Sequence, residues 1–411
     1  MIKMRLFSCV VLLLVILCAC TQPMNQVDPA SISSQIINVE QPTEFVDGLF
    51  MRGCIKDISL NGESVAVLTT SGRAYLWGKN DSGMVGDGTT QTVYTPYLLP
   101  IDETLVQIST SDYNSIAVTE SGNLYAWGKN EYGEFGNSTY EGSLTPQKQP
   151  FHTAVNRAET TGHLTFVLTA EGEVYRTGWN LDPWVFELEN PDISQYSSAS
   201  FTKIDNLGRV IDLAASGGSA AFQTDTGVFY YGRLSAWKGD TNSMESPVKI
   251  DFPSKVLKID VSESCVIALC ADQRLYGFGS NTTGIFGRDL NQSLMQPTAI
   301  NGFENITDFS LGTHCLLAIT NNGTILATGY NIFNQIAPTQ TEPADSDYIT
   351  HPYEIVLDDK VTKVFSGYVS NGALTESGDC YLWGGTYYNQ LLNRETKATY
   401  AKGTPVKITT G

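Results

Sequence analysis

The sequence predicts an all-β protein, a seven-bladed β-propeller built from repeats of about 51 residues. Three observations carry this. A short phrase ending in glycine recurs at Gly78, Gly128, Gly178, Gly232, Gly279, Gly329 and Gly384, with successive gaps of 50, 50, 54, 47, 50 and 55 residues. Each period holds four short runs, rich in β-branched and aromatic residues, that alternate with period two as strands do. No stretch beyond the first 19 residues keeps a 3.6-residue apolar period. A fixed period of this length marks a repeat architecture. Radial repetition of four-stranded units leaves only short, protected edges.

The elements follow one order in every unit. An apolar alternating run comes first, such as Val106-Gln107-Ile108 or Ile306-Thr307-Asp308-Phe309. A small polar turn leads to a second run ending in Thr, such as Ser115-Ile116-Ala117-Val118-Thr119. A tight glycine turn, Glu120-Ser121-Gly122, precedes the third run with its Trp-Gly phrase. A polar loop and a Pro-containing segment close the unit, as in Thr95-Pro96-Tyr97-Leu98 and Ser246-Pro247-Val248-Lys249-Ile250. Proline is tolerated at sheet edges, so this segment reads as an outer strand with Pro near its start. The first unit begins near Ile55 with no such segment before it, and the chain ends on Thr404-Pro405-Val406-Lys407-Ile408. That terminal strand is expected to complete the first blade and remove two open edges.

The third run and its loop carry a family resemblance. Trp127-Gly128-Lys129-Asn130-Glu131-Tyr132-Gly133-Glu134-Phe135-Gly136 resembles the Trp-Gly-x-Asn-x-x-Gly-Gln-Leu-Gly signature of the RCC1 (regulator of chromosome condensation) repeat. Residues 77–86 match equally well, and 278–287 keep the glycines and Asn281. Gly312-Thr313-His314-Cys315 resembles the family's Gly-x-x-His turn. The units at Gly178, Gly232, Gly329 and Gly384 are degenerate and stand on register. The resemblance covers about residues 55–408 and implies a seven-bladed propeller.

The N-terminus is expected to set the compartment. Lys3 and Arg5 precede an apolar run, Val10 to Leu17, too short for a stable bilayer span. Leu17-Cys18-Ala19-Cys20 resembles a bacterial lipobox, cleaved before Cys20 and lipidated on its thiol. The expected organisation is a signal peptide over 1–19, a lipidated Cys20 with a polar tether over 20–50, and a propeller over 51–411. Acyl chains would anchor it, each buried methylene contributing about 0.8 kcal/mol. The protein would sit outside the cytoplasmic membrane, touching it only through the lipid.

Charge and cysteines narrow the function further. Removing Lys3 and Arg5 leaves 23 basic residues against 43 acidic ones. Nucleic-acid binding needs a basic patch, and no Lys/Arg cluster beyond isolated pairs exists, so DNA and chromatin are disfavoured as partners. Acidity of this kind favours solubility and a monomer. Cys54, Cys265, Cys270, Cys315 and Cys380 remain after processing. Their odd number and unpaired spacing argue for buried thiols over a disulfide framework.

Catalytic patterns are scarce. The four histidines are His152, His163, His314 and His351, with no His-x-x-x-His, Cys-x-x-Cys or Gly-x-Ser-x-Gly. Neither a metal nor a cofactor is expected. Asn80-Asp81-Ser82-Gly83 reads as a turn in which Asn80 bonds the local backbone rather than as a calcium loop. Counting six residues back from each strand-ending Thr, or its equivalent, gives Glu63, Tyr113, His163, Gly218, Ser264, His314 and Val369. These are equivalent turns on one face of the disc. His163 and His314 lie three blades apart, too far around the ring to share an ion. Aromatic residues interrupt the pattern at Trp184, Trp237, Tyr387 and Tyr388. Aromatics in loops anchor interfaces. The candidate binding face is therefore Tyr113, His163, Trp184, Trp237, His314, Tyr387 and Tyr388.

Two function classes are expected to compete. One is a surface-tethered module that binds a protein or another component of the cell envelope. The family resemblance makes this mode available, since a secreted bacterial relative grips β-lactamase with loop aromatics. The family's best-known activity, nucleotide exchange on a small GTPase, needs a cytosolic partner. The alternative is an extracytoplasmic carbohydrate-active enzyme, a lyase or hydrolase. That reading needs a blade-aligned cluster of Asp, His and Arg at the axis.

Overall fold

Each period folds into one four-stranded antiparallel sheet whose strands follow chain order from the axis outward. In the computed structural model, which describes residues 44–60, 63–179, 197–232, 246–336, 347–385, 388–392 and 402–410, seven such sheets form the blades. The inner strands of blades 1 to 7 are Ile55–Ser59, Leu105–Thr110, Val155–Thr160, Val210–Ser216, Val256–Val261, Ile306–Leu311 and Val361–Ser366. The outer strands are Val93–Leu98, Ser143–Lys148, Ser197–Lys203, Val248–Ile250, Leu294–Ala299, Tyr348–Ile355 and Lys402–Lys407. Thr43–Gly411 is one compact unit, which adds a short hairpin, Phe45–Val46 with Leu49–Phe50, to the region read as propeller.

The Trp-Gly phrase earns its spacing by packing between blades. Trp77, Trp127 and Trp383 are fully buried. Trp127 Nε1 donates to the Met84 carbonyl of the preceding blade at 2.8 Å, and Trp383 Nε1 to the Gln335 carbonyl at 2.8 Å. In blades 3 and 6, where the tryptophan is lost, threonine takes over the strut. Thr177 Oγ1 donates to the Gly133 carbonyl at 2.8 Å and Thr328 Oγ1 to the Ile285 carbonyl at 2.7 Å. The following glycine has its own reason. Gly128 has φ +95°, and a Cβ there would lie 2.5 Å from the Tyr113 carbonyl oxygen, so side chains are excluded on two grounds.

Two readings of the strand order need correction. The terminal strand Lys402–Lys407 pairs with Cys380–Gly384 and completes blade 7, not blade 1. Blade 1 takes its outer strand from its own unit, with Tyr75 opposite Leu98. Every outer strand follows its Trp-Gly strand as a local hairpin connection, so no strand is orphaned. Pro247 stands just before its strand as read, but Pro96, Pro146, Pro297, Pro352 and Pro405 sit in mid-strand: Pro96 lies between Val93, which pairs with Gly78, and Tyr97, which pairs with Leu76. Three residues, 94 to 96, face one, Trp77, there. The resulting bulge relieves Pro of the need for a ladder hydrogen bond.

The ring closes instead through the hairpin and the chain end. Phe50 donates its N–H to the Ile408 carbonyl at 3.0 Å and accepts from Thr410 N at 2.7 Å. Phe50, Ile408, Cys380, Leu391 and Trp77 share one core cluster, so the seam between blades 7 and 1 is apolar inside. Outside it lies Asp379, which accepts from Arg52 Nε at 2.8 Å, Lys407 Nζ at 2.9 Å and Thr409 Oγ1 at 3.0 Å. Burial pushes its pKa up, but the bonds from Lys407, Arg52 and Thr409 outweigh it and hold the carboxyl below its ordinary range. Cys54, Cys265, Cys270, Cys315 and Cys380 are all free thiols, and all but Cys54 are buried.

Candidate functional site

The turn register counted from the sequence is the register of the fold. Glu63, Tyr113, His163, Gly218, Ser264, His314 and Val369 each stand immediately before the second strand of a blade. The backbone fixes them there. Lys129 N donates to the Tyr113 carbonyl at 2.9 Å, Trp179 N to the His163 carbonyl at 2.8 Å, and Tyr330 N to the His314 carbonyl at 2.9 Å. The turns and the loops after the Trp-Gly strands therefore share one face.

On that face the two histidines anchor separate aromatic clusters. Tyr113 stacks on His163 with centroids 4.9 Å apart at 21°. Tyr132 meets His163 edge-on at 4.8 Å and Trp179 at 4.6 Å. Lys129 Nζ lies 5.4 Å from the Tyr113 ring centre. Three blades on, His314 contacts Tyr368 at 5.3 Å and Tyr330 at 5.7 Å, and Tyr330 continues to Tyr348 at 5.2 Å. Burial pushes the His314 pKa down, against the charge of Glu263. Tyr113 is 37 % exposed and Tyr368 is 41 % exposed, so part of each ring is open to a partner.

The two clusters meet at a recess of about 430 Å³ lined by Tyr113, Tyr368, Glu63, Lys79, Asp81, Asp112 and Lys129. Lys79 Nζ is 2.9 Å from Glu63 and 3.7 Å from Asp81. Asp112 is held above the ordinary carboxylate range by desolvation first; Lys79 opposes this, while Glu63, Glu263 and Asp81 reinforce it. Tyr388 is half-buried, and its N–H donates to Gln390 Oε1 at 2.8 Å. Trp184, Trp237 and Tyr387 lie outside the described residues, as does Cys20.

Sequence reasoning missed Tyr368, Tyr132, Tyr330 and Glu134. Tyr368 stands one residue before a counted position, and Tyr132 fills the motif place that Tyr388 fills in blade 7. It also missed the axis. A channel of about 670 Å³ runs between the inner strands. A β-bulge near the start of each inner strand brings one residue per blade into register: Asp57, Gln107, Arg157, Asp212, Lys258, Asp308 and Lys363. Neighbours pair across blades. Arg157 reaches Asp212 at 2.9 Å, Lys258 reaches Asp308 at 2.6 Å, and Lys363 reaches Asp57 at 2.9 Å. Gln107 Nε2 donates to the Ala158 carbonyl at 2.8 Å. Two deeper carboxyls, Glu159 and Asp260, are pushed up chiefly by burial. The axis thus holds Asp, Glu and Arg, and among the described residues lining it there is no His. Its arginine is already shared by Glu159 at 3.0 Å and Asp212.

Comparison with known proteins agrees with the fold. Two profiles of the regulator of chromosome condensation (RCC1) repeat match residues 71–118 and 105–134. The mitochondrial RCC1 domain-containing protein RUG3 of Arabidopsis thaliana is 25 % identical over 197 residues, 44 % of either chain. The human regulator of chromosome condensation is 29 % identical over 154 residues, 36 % of either chain. The aligned part therefore spans less than half of these relatives. Among solved structures, Prp20p from Saccharomyces cerevisiae superposes with a TM-score of 0.72 at 20 % identity, covering 84 % of this chain and 87 % of that one. Human WBSCR16 gives 0.66 at 20 % identity, covering 80 % and 89 %. The protein is an RCC1-like seven-bladed β-propeller, and residues 71–134 match the RCC1 repeat.

Proposed function

We propose that this propeller is a binding module that engages a protein or another envelope component through the face carrying Tyr113, His163, His314 and Tyr368. The observation that supports it most is the pair of partly exposed aromatic clusters meeting at an acid-lined recess, while the axial charges are spent on one another. Loop aromatics with a rigid backbone are the residues that carry interface energy. Relatives support the mode: yeast Prp20p has been described with binding to Gsp1p and histones, and in complex with Kap60. The module works as a monomer, without nucleic acid, and is held outside the cell membrane by acyl chains on Cys20.

Capture from a cell-envelope extract tests this. Tyr368→Ala removes an exposed ring from a turn, so the fold survives and affinity for the captured partner falls by at least roughly tenfold. Unchanged capture by this variant removes the face from consideration. For the tether, Cys20→Ala moves the protein from the membrane fraction to the soluble fraction. Retention on membranes after a high-salt wash places the anchor elsewhere.

Glu159 and Asp260 favour a second reading, a carbohydrate-active enzyme. Carboxyls raised by burial beside an open channel suit general acid chemistry. Turnover of an envelope glycan by the purified propeller, lost when those two carboxyls are removed, would establish it over the binding module.

A further inference from the structure

The loops after the Trp-Gly strands share one slot, filled by Met84, Glu134, Ile285, Gln335 and Gln390 in the five blades where the slot is described. In blades 6 and 7 the slot's glutamine closes its own loop. Gln335 Oε1 accepts from Phe333 N at 2.9 Å, and Gln390 Oε1 from Tyr388 N at 2.8 Å. In blade 2, Glu134 Oε2 accepts from Tyr132 N at 3.0 Å. A neutral amide does that job equally well. The negative charge is therefore surplus to the loop, and it is costly, because Glu134 is 1 % exposed and burial pushes its pKa up.

What the carboxylate adds is a second acceptor. Glu134 Oε1 lies 4.0 Å from His163 Nδ1. That nitrogen is shielded from solvent and has no hydrogen-bond partner among the described residues. The gap exceeds an N–H···O bond by about 1 Å, within reach of a small imidazole rotation. The side chain is 39 % exposed, and with Nδ1 buried that exposure lies on the rest of the ring. Tyr113 covers one ring face and Tyr132 abuts it edge-on. Lys129 lies over Tyr113 and 3.5 Å from Glu131.

We propose that Glu134 is a positioning residue for His163. It holds the neutral imidazole with its proton on Nδ1, so that the outward Nε2 lone pair accepts a hydrogen bond from a donor on a protein partner, a hydroxyl, amide or ammonium group. This rests on reading the face as a binding surface. A bare repeat loop has no use for a buried charge; an aimed acceptor between two tyrosines does.

The test is Glu134→Gln, which restores the residue that Gln335 and Gln390 show the loop accepts. With its oxygen committed to Tyr132 N–H, the new amide turns its NH₂ towards Nδ1. That inverts the tautomer and makes Nε2 a donor. Histidine-¹⁵N spectra of the full chain at about pH 8, above the imidazole range, read this directly, with His163→Gln assigning the signals. The expected result is Nδ1–H in the native protein and Nε2–H in the variant. One tautomer in both, or Nε2–H in the native protein, overturns the positioning role. Affinity for the partner captured by the native propeller should fall about tenfold in the variant. Full affinity with an inverted tautomer overturns the acceptor role. If the native propeller captures nothing, the binding face itself fails, and the acceptor role fails with it, whatever the spectra show.

Discussion

Deleting residues 402–411 destabilises the entire propeller in one cooperative transition rather than fraying blade 7 alone. The segment supplies the outer strand of blade 7 and also the partners of the N-terminal hairpin. Its loss strips the fully buried Ile408, worth about 2 kcal/mol. It also removes the Phe50 N–H to Ile408, Thr410 N–H to Phe50 and Ile408 N–H to Cys380 bonds, each worth about 1 kcal/mol net. Asp379 loses Lys407 and Thr409 and keeps Arg52 and a longer bond from Ser377 Oγ. The total is on the order of 5 kcal/mol or more, located where a ring has no redundancy. Calorimetry should show one transition at a lower temperature; an unchanged melting temperature refutes the closure. The seam also carries a pH signature. Because the Asp379 pKa is depressed in the fold, its contribution is complete above the unfolded carboxyl pKa. It fades as pH falls through the folded value.

Trp127→Ala has the second large effect, a loss of about 3–5 kcal/mol. The indole is fully buried between blades 1 and 2 among Val85, Leu99 and Ile108. Its Nε1–H satisfies the Met84 carbonyl at 2.8 Å. Truncation leaves a cavity that the surrounding strands relieve only in part and removes one of the two donors to the Met84 carbonyl, which keeps Ser115 Oγ at 2.8 Å. Denaturant unfolding measures it. A loss below about 1 kcal/mol would place the strut elsewhere. The behaviour contrasts with Tyr368, whose open ring should cost affinity and little stability. Glu134→Gln should separate the two quantities further. Its raised carboxyl pKa means that stability is present at low pH and lost as pH rises through the folded value. The variant should therefore be more stable than the native protein at neutral pH, with the gap closing at acid pH. A residue that costs stability and carries recognition fits the usual trade-off at functional sites.

Much of this was legible in the chain because a propeller repeats its local chemistry. The glycine phrase set the period, and Asn80 bonds its loop as read, accepting from Val85 N at 2.9 Å. Counting from strand-ending threonines placed Tyr113, His163 and His314 on one face without any tertiary information. The axial ring was open to the same counting, two residues after each inner strand's first. It went unread because a bulge, invisible in sequence, brings those residues into register. The closure was misassigned because a Pro segment before each unit and one after it look alike until hairpin pairing is known. The Glu134 and His163 contact joins two adjacent blades, and only the geometry of the turns brings them together.

Photo-cross-linking tests the central claim, that this face binds. A photoreactive residue at position 368 sits on the aromatic face, and one at Glu376, also exposed, sits at the opposite end of the second strand of the same blade. The account predicts cross-links to the envelope partner from position 368 and none from position 376. Cross-links from position 376 alone, or equal yield from both, would contradict it.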